Sequence, residues 1–314
     1  MSKVEILALA FWPVALLAGM SASEAQAEDA PVRQSLEDAW WTGPMLANSA
    51  HTLPQGHALI ESYLYDAVSG KTNSVNSLSY LLYGATDWLT LGLVPTAGYV
   101  SARHSEDSAG PHWGDTELRA QFRISALDAE QGIPDLAVAV IETLPTGKYD
   151  RLARASDGFG GGAQGTAIAL YSQMVWWMPN GRILRTRLDL QGGVWESAAV
   201  SGVSVYGTSA DFSGHARPGN RYAVDAALEY SLTREWVLAL DVIYNHGNGT
   251  VTRGFERAQS VFARTGSSDG FGFAPALEYN LRSNLGLLAG LRVLTGGHNS
   301  KPSLTPAIAV NYVL

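Results

Sequence analysis

The feature that most constrains the fold of this chain is a repeated alternation of apolar and polar residues over segments of about ten residues. Residues 114–124 show it most clearly, with Leu118 and Phe122 on one face. Arg119 and Gln121 lie between them in sequence and point the other way. Successive side chains of a β-strand project to opposite faces, so such a segment has one apolar and one charged face. The pattern therefore predicts strands.

About twelve segments show this alternation, some more weakly than others, and an even number of strands is what bacterial barrels require. They are residues 57–65, 77–84, 88–98, 114–124, 135–144, 166–178, 183–195, 222–232, 236–244, 271–281, 285–295 and 303–314.

The connections between these segments alternate in length. The short ones are residues 85–87, 125–134, 179–181, 233–235 and 282–284, and the long ones are 66–76, 101–113, 148–165, 196–220, 247–270 and 296–302. Short periplasmic turns and long extracellular loops are typical of outer-membrane barrels. We therefore predict an all-β fold, a transmembrane antiparallel up-and-down β-barrel of about twelve strands, with both termini on the periplasmic side.

Composition supports a membrane barrel. The chain is 46% hydrophobic but only 16% charged, whereas charged residues make up about a quarter of a typical soluble protein. After the N-terminus, no apolar run approaches the ~20 residues that a spanning helix needs. The alternate apolar residues of 308–314 also resemble the C-terminal assembly signal of outer-membrane proteins, although many of those end in phenylalanine and this chain ends in Leu314.

The N-terminus has the order of regions found in secretory signal peptides. Lys3 precedes an apolar stretch at residues 6–20, and Ala25 and Ala27 form an A-x-A cleavage site. An uncleaved membrane anchor is the alternative, but the apolar stretch is too short for it. We predict a cleaved signal peptide at 1–27, an N-terminal periplasmic segment at 28–56 and an outer-membrane barrel at 57–314.

Two catalytic-type glycine motifs are interpreted as loop composition. Gly160, Gly162 and Gly165 satisfy G-x-G-x-x-G, and residues 266–270 satisfy G-x-S-x-G. Both motifs need a following helix, and none is predicted here. The chain has no cysteine, its histidines lack metal-ligand spacing, and its net charge of −8 offers no basic surface for nucleic acid. We predict no cofactor, no metal and no nucleic-acid partner.

Residues 244–249 resemble the strand-end motif of outer-membrane phospholipase A, in which a histidine precedes the nucleophilic serine by two positions. Here His246 is followed by Asn248, which cannot act as the nucleophile. A lipid-modifying barrel enzyme is therefore the runner-up, and we predict a protein without catalytic residues. A structural or surface-interaction barrel is a third possibility.

The candidate site residues are charged side chains predicted to face the lumen. They are Glu117, Arg119, Arg123, Arg185, Arg187, Asp189, Asp225, Glu229, Asp241, Glu278 and Arg292. One interpretation is a polar constriction that sets selectivity. The other is a network of interior ion pairs, with Arg185 and Arg187 bonded to Glu117, Asp189 or Asp225. Since arginines dominate early strands and acids later ones, a transverse field across the lumen is also expected.

Four sequence motifs resemble the MetA-pathway phenol-degradation family of outer-membrane proteins. They are Trp-Trp-Thr-Gly-Pro at 40–44, Thr-Leu-Pro-Gln-Gly-His at 52–57, Tyr-Gly-Ala-Thr-Asp-Trp at 83–88 and Leu-Pro-Thr-Gly-Lys-Tyr-Asp at 144–150. The resemblance covers most of the mature chain and carries over no catalytic residues. It implies a transporter in the Gram-negative outer membrane, surrounded by lipid, for passive passage or uptake of small aromatic or hydrophobic solutes. Neither the residues nor the resemblance indicates an oligomeric state.

Overall fold

The computed structural model describes residues 31–70, 72–103 and 105–314. The predicted signal peptide at 1–27 lies outside these residues. The chain from Arg33 to Leu314 forms one compact unit. Its described helices are two short 3-10 turns, η1 (Leu36–Asp38) and η2 (Ala155–Asp157). Within the described ranges, no helix is long and apolar enough to span a membrane.

All other regular structure in this part of the chain is β. The strands are β1 (Ala58–Ser69), β2 (Thr72–Thr86), β3 (Leu89–Val94), β4 (Thr96–Ala102), β5 (His112–Trp113), β6 (Thr116–Ser125), β7 (Asp135–Leu144), β8 (Gly165–Trp177), β9 (Ile183–Trp195), β10 (Ala198–Ser201), β11 (Phe212–Arg217), β12 (Arg221–Ser231), β13 (Trp236–Gly247), β14 (Val251–Glu256), β15 (Gln259–Arg264), β16 (Ser268–Arg282), β17 (Leu285–Gly296) and β18 (Ser303–Val313).

The wall is a closed antiparallel barrel of 12 strands, which confirms the predicted fold class. Its strands are β1, β2, β6 to β9, β12, β13 and β16 to β18, together with β3 and β4, which form one strand interrupted at Pro95. Each wall strand pairs with its neighbour in the chain, and β1 pairs with β18 to close the ring. Every predicted segment corresponds to one wall strand.

The alternation in sequence becomes the inside and outside of the barrel. On β9, Leu188 and Leu190 are exposed on the outer surface, whereas Arg187 and Asp189 are buried inside. On the adjacent β12, Leu228 is exposed and Glu229 is fully buried. An apolar outer band with a polar interior is the pattern of barrels that span a membrane.

The hairpin between β1 and β2 corrects one predicted loop. The sequence predicts a long link at 66–76, but both strands continue through it, and Asp66 pairs with Val75 and Ser69 with Thr72. Gly70 supplies the turn, with a φ of +60°. The polar residues of this stretch resemble a loop in sequence because a hairpin that extends beyond the lipid needs no apolar face.

Two predicted loops, 196–220 and 247–270, contain strands as well. They fold together as a four-stranded antiparallel sheet in the order β10, β11, β14, β15, which we call the loop sheet. Its short strands bury Val200, Phe212 and Ala216 against neighbouring loops. Strands of four to six residues are too short to show a reliable alternation, so the sequence predicts only loops there.

Leu188→Arg should destabilise the barrel by about 2–4 kcal/mol if Leu188 lies near the bilayer midplane, because a charge on the lipid face is costly there. Urea-dependent unfolding from lipid vesicles measures this. Gln191→Arg is the matched control, since the side chain of Gln191 points into the barrel at its loop end. Equal losses of unfolding free energy in the two variants would mean that the inner and outer faces of β9 are wrongly assigned.

Candidate functional site

The lumen contains a segment of the chain itself. Residues 39–53, which we call the plug, enter at the end of the barrel that carries the short turns. There the backbone N–H of Trp40 donates to the carbonyl of Arg234 (3.1 Å). The plug leaves at the same end, where the hydroxyl of Thr52 donates to the carbonyl of Asp87 (2.7 Å). The sequence predicts this region as a periplasmic segment and gives no indication that it turns inside the barrel.

The wall makes room for the plug with small inward-facing residues. Those packed around Met45 or Ala50 of the plug are Ala137, Ala139, Ala167, Ala169, Ala239, Ala274, Ala276, Ala307 and Ala309. Gly286 allows an even closer approach, since a Cβ there would lie 1.9 Å from the hydroxyl oxygen of Thr42. Inward-facing alanines on adjacent strands are the sequence signal that could have revealed an occupied lumen.

Wall carboxylates hold the backbone of the plug. Asp241, which is fully buried, accepts hydrogen bonds from the backbone N–H groups of Met45 (3.0 Å) and Ala47 (3.0 Å). The plug has no regular secondary structure at this point, so these N–H groups need side-chain acceptors. A carboxylate is a strong acceptor because its hydrogen bonds are charge-assisted.

Two further carboxylates repeat this arrangement. Glu278 accepts from the backbone N–H groups of Thr42 (2.7 Å) and Gly43 (3.1 Å). Asp189 accepts from both the backbone N–H (2.7 Å) and the side-chain amide (3.0 Å) of Asn48. Three of the acids predicted as a selectivity constriction, Asp189, Asp241 and Glu278, therefore serve as acceptors for the plug.

Arg185 and Arg187 both bond to Glu229. Their Nε atoms lie 2.7 Å and 3.0 Å from the same carboxylate oxygen. Arg187 also donates to the carbonyl of Ala47 (3.0 Å), and the Arg185 guanidinium lies 4.4 Å from the ring centroid of Trp41. This cluster joins two wall strands to the plug, as an interior ion-pair network would.

The observed partner differs from the predicted ones, which were Glu117, Asp189 or Asp225. Strands β9 and β12 are neighbours, and Arg185 is in direct register with Glu229. Opposite charges therefore meet here instead of facing each other across the lumen. The two arginines share one carboxylate, and the expected transverse field stays a prediction.

Arg119 forms a second link between wall and plug. It donates to the side-chain oxygen of Asn48 (2.9 Å) and to Glu117 (2.9 Å), and its guanidinium lies 5.0 Å from the ring centroid of Tyr80. Arg123 lies on the same inner face of β6, nearer the short-turn end. All of these side chains face the interior, as the alternation predicts.

The remaining predicted residues face the interior without a hydrogen bond to the plug. Asp225 on β12 is in register with Asp189 on β9. Arg292 on β17 lies 3.5 Å from the hydroxyl of Thr305. Asp225 Oδ1 and Arg292 Nε are buried and have no hydrogen-bond partner among the described residues.

A large cavity, which we call the vestibule, opens at the loop end of the barrel. Its volume is about 1020 Å³, and its lining includes Glu117, Gln191, Trp195, Tyr206 and Arg221. The guanidinium of Arg221 lies 4.7 Å from the ring centroid of Trp195. Burial raises the pKa of Tyr206 to about 12, so this side chain is a neutral hydroxyl at physiological pH.

Two smaller cavities border the plug. One, of about 330 Å³, lies between the plug and the inner faces of the early wall strands. The other, of about 140 Å³, is lined by Met45 of the plug and by wall residues that include Tyr63, Tyr65, Tyr80 and Arg292. We call it the tyrosine cavity. The plug therefore narrows the lumen and leaves space beside it.

Two carboxylates, half-buried Asp115 and buried Asp157, organise the loops at the loop end. Asp115 accepts from the backbone N–H groups of Gly147 (3.0 Å) and Gly161 (2.6 Å). Asp157 accepts from the backbone N–H of Ala109 (2.8 Å), which holds the pKa of Asp157 below its ordinary value. These bonds give the loops a defined arrangement at the mouth of the barrel.

The two glycine motifs lie outside any strand-turn-helix unit in the described structure. Gly160 and Gly162 belong to an irregular loop, and Ser268 begins β16. The imidazole of His246 lies 3.3 Å from the side-chain oxygen of Asn248, and its ring centroid lies 6.2 Å from that of Tyr222. Among the described residues, no serine hydroxyl bonds to it, and no group of histidines and acids has the arrangement of a metal site.

The fold is similar to the crystal structure of an outer membrane channel from Pseudomonas putida F1. The TM-score is 0.65 at 15% sequence identity, over 86% of this chain and 100% of that chain. The NanC porin and the KdgM porin match at 9% identity, with TM-scores of 0.45 and 0.42 that carry no argument. No family model matches the sequence, and no curated protein matches it. The similarity to the Pseudomonas putida channel shows a barrel fold of the outer-membrane type.

Asp241→Asn should loosen the plug, because the amide loses the charge that strengthens the bonds from Met45 and Ala47. Loss of a charged hydrogen-bond partner destabilises the bound position of the plug by about 1.5–3 kcal/mol. This corresponds to a roughly ten-fold or greater increase in the fraction of molecules whose plug is exposed to solvent. The readout is the labelling rate of Ser49→Cys in the plug by a small thiol reagent, since the chain has no other cysteine.

Asp225→Asn is the matched control for this experiment. Asp225 also faces the lumen but does not bond to the plug, so its variant should label at the rate of the parent protein. If both variants accelerated the labelling of Ser49→Cys to a similar extent, a specific role of Asp241 in holding the plug would be contradicted.

Proposed function

We propose that this protein is an outer-membrane channel for passive passage of small molecules, with the plug as its narrow region. The observation that carries the proposal is how the plug is held. Hydrogen bonds from its backbone to Asp241, Glu278 and Asp189 can break without opening the wall, since no wall strand pairs with the plug. A polar vestibule of about 1020 Å³ leads to it from the loop end.

The proposed solutes are small aromatic or hydrophobic molecules, including aromatic carboxylates. The resemblance to the phenol-degradation family supports this class, and we propose membership in that family. The tyrosine cavity adds support from chemistry. Its volume of about 140 Å³ is close to that of engineered cavities of ~150 Å³ that bind benzene, and Arg292 offers a cation to a carboxylate.

The proposed location is the outer membrane of a Gram-negative bacterium, reached after removal of residues 1–27. The apolar outer surface of the wall and the alternation of short turns and long loops support this location. The A-x-A sequence at Ala25 and Ala27 supports export through a cleaved signal peptide.

Reconstitution into planar bilayers and liposomes tests the channel. We expect discrete conductance, and faster liposome swelling with Asp241→Asn than with the parent protein or Asp225→Asn, because a loosened plug narrows the lumen less. Lipid hydrolysis without conductance would instead support the barrel enzyme. Neither conductance nor hydrolysis in any variant would support a surface-interaction barrel and end the channel proposal.

Arg292→Gln should slow the passage of benzoate by up to about five-fold relative to phenol, because the variant removes the cation of a charge pair that contributes up to about 1 kcal/mol. Swelling rates with phenol, benzoate and a pentose give the comparison. Arg123→Gln is the control, since Arg123 faces the lumen but does not line the tyrosine cavity. If all three solutes respond alike to Arg292→Gln, the arginine has no part in selecting anions.

A further inference from the structure

The loop sheet has one buried and one exposed face. Its buried face carries Val200, Phe212 and Ala216, which pack with Trp195 and Tyr206. Trp195 and Tyr206 also line the vestibule. The buried face of the sheet is therefore turned toward the lumen side, and the exposed face is turned away from it.

The exposed face combines arginines with aromatic residues. Directly paired residues of an antiparallel sheet have their side chains on the same face. Three such rows form it: Arg217 with Val251 and Arg264, His215 with Arg253 and Phe262, and Ser213 with Phe255 and Ser260. Phe255 and Phe262 are 59% and 62% exposed. Since no row contains an acidic residue, we call this surface the cationic face.

The cationic face lies just beyond the lipid-facing band of the barrel. Only residues 218–220 separate β11 from β12, and only 248–250 separate β13 from β14. The row that contains Arg217 is therefore the one nearest the wall. Tyr222 and Tyr244, at the loop end of these wall strands, are 48% and 44% exposed on the outer surface. Tyrosines in this position mark the interface between lipid tails and headgroups.

We propose that the cationic face docks on the phosphate groups of anionic lipid headgroups in the leaflet at the loop end of the barrel. Guanidinium groups bind phosphate through paired hydrogen bonds, and Arg217 and Arg264 stand in the row nearest the wall. Arg253 lies 5.2 Å from the ring centroid of Phe262, so the cation and the aromatic group are presented together. The proposal depends on the membrane location of the barrel and not on conduction through its lumen.

The test places an environment-sensitive fluorophore on Ser260→Cys in the full-length barrel. The protein is reconstituted in vesicles of phosphatidylcholine, with or without phosphatidylglycerol, that contain a lipid with a quencher on its headgroup. We expect strong quenching only with phosphatidylglycerol, and weaker quenching at high salt. Each arginine near an anionic surface adds about a five-fold preference, so R217Q/R253Q/R264Q should abolish the effect.

Arg257→Gln is the control for loss of an arginine elsewhere on the loop sheet, because Arg257 lies outside the three rows and pairs with Asp211 (2.5 Å). The Arg257→Gln variant should be quenched as strongly as the parent protein. Heat-modifiable gel mobility shows whether the barrel of each variant is folded. Equal quenching in both lipid mixtures, or in the triple variant, would overturn the proposal. If inorganic phosphate reduced the quenching more than chloride does at equal ionic strength, free phosphate would be the ligand, and the proposal would be overturned. If the quenching depended on protein density, a second copy of the chain would be the ligand, and the proposal would be overturned as well.

Discussion

A membrane offers no water to the backbone, so every N–H and C=O group at that depth needs a partner within the protein. The pairing of β1 with β18 meets this requirement by closing the sheet into a ring without edges. Once the ring is closed, each strand has one face toward lipid and one toward the lumen. The alternation of Leu188 with Asp189, or of Leu228 with Glu229, follows directly from that geometry.

Closure of the barrel also means that polar side chains on the inner face need hydrogen-bond partners within the protein. Polar residues on the inner face are removed from bulk water, and buried charges are unfavourable unless they are paired and hydrogen-bonded. Glu229 meets this condition with Arg185 and Arg187. Asp241 and one carboxylate oxygen of Glu278 accept hydrogen bonds from backbone N–H groups of the plug. The plug and the charged wall therefore depend on each other, because each supplies the hydrogen-bond partners that the other lacks.

The wall could be predicted from sequence because strand phase is a local property. Each segment of about ten residues carries its own alternation, and the short turns separate one from the next. The plug could not be predicted in the same way. Its irregular backbone has no period, and its partners Asp189 and Asp241 are more than a hundred residues away in the chain. The inward direction of the charged residues was predictable, but their partners depend on which strands become neighbours.

The two ends of the barrel differ because different interactions organise them. At the short-turn end, the plug enters and leaves, so the chain before β1 closes much of the lumen from that side. At the loop end, two long connections pair with each other as the loop sheet instead of folding into the lumen. Trp195 and Tyr206 pack against the loop sheet and also line the vestibule. The loops therefore form the wall of the vestibule and leave its volume unfilled. The narrow part of the lumen is therefore formed by the plug, which hydrogen bonds and side-chain packing hold in place without any strand pairing to the wall.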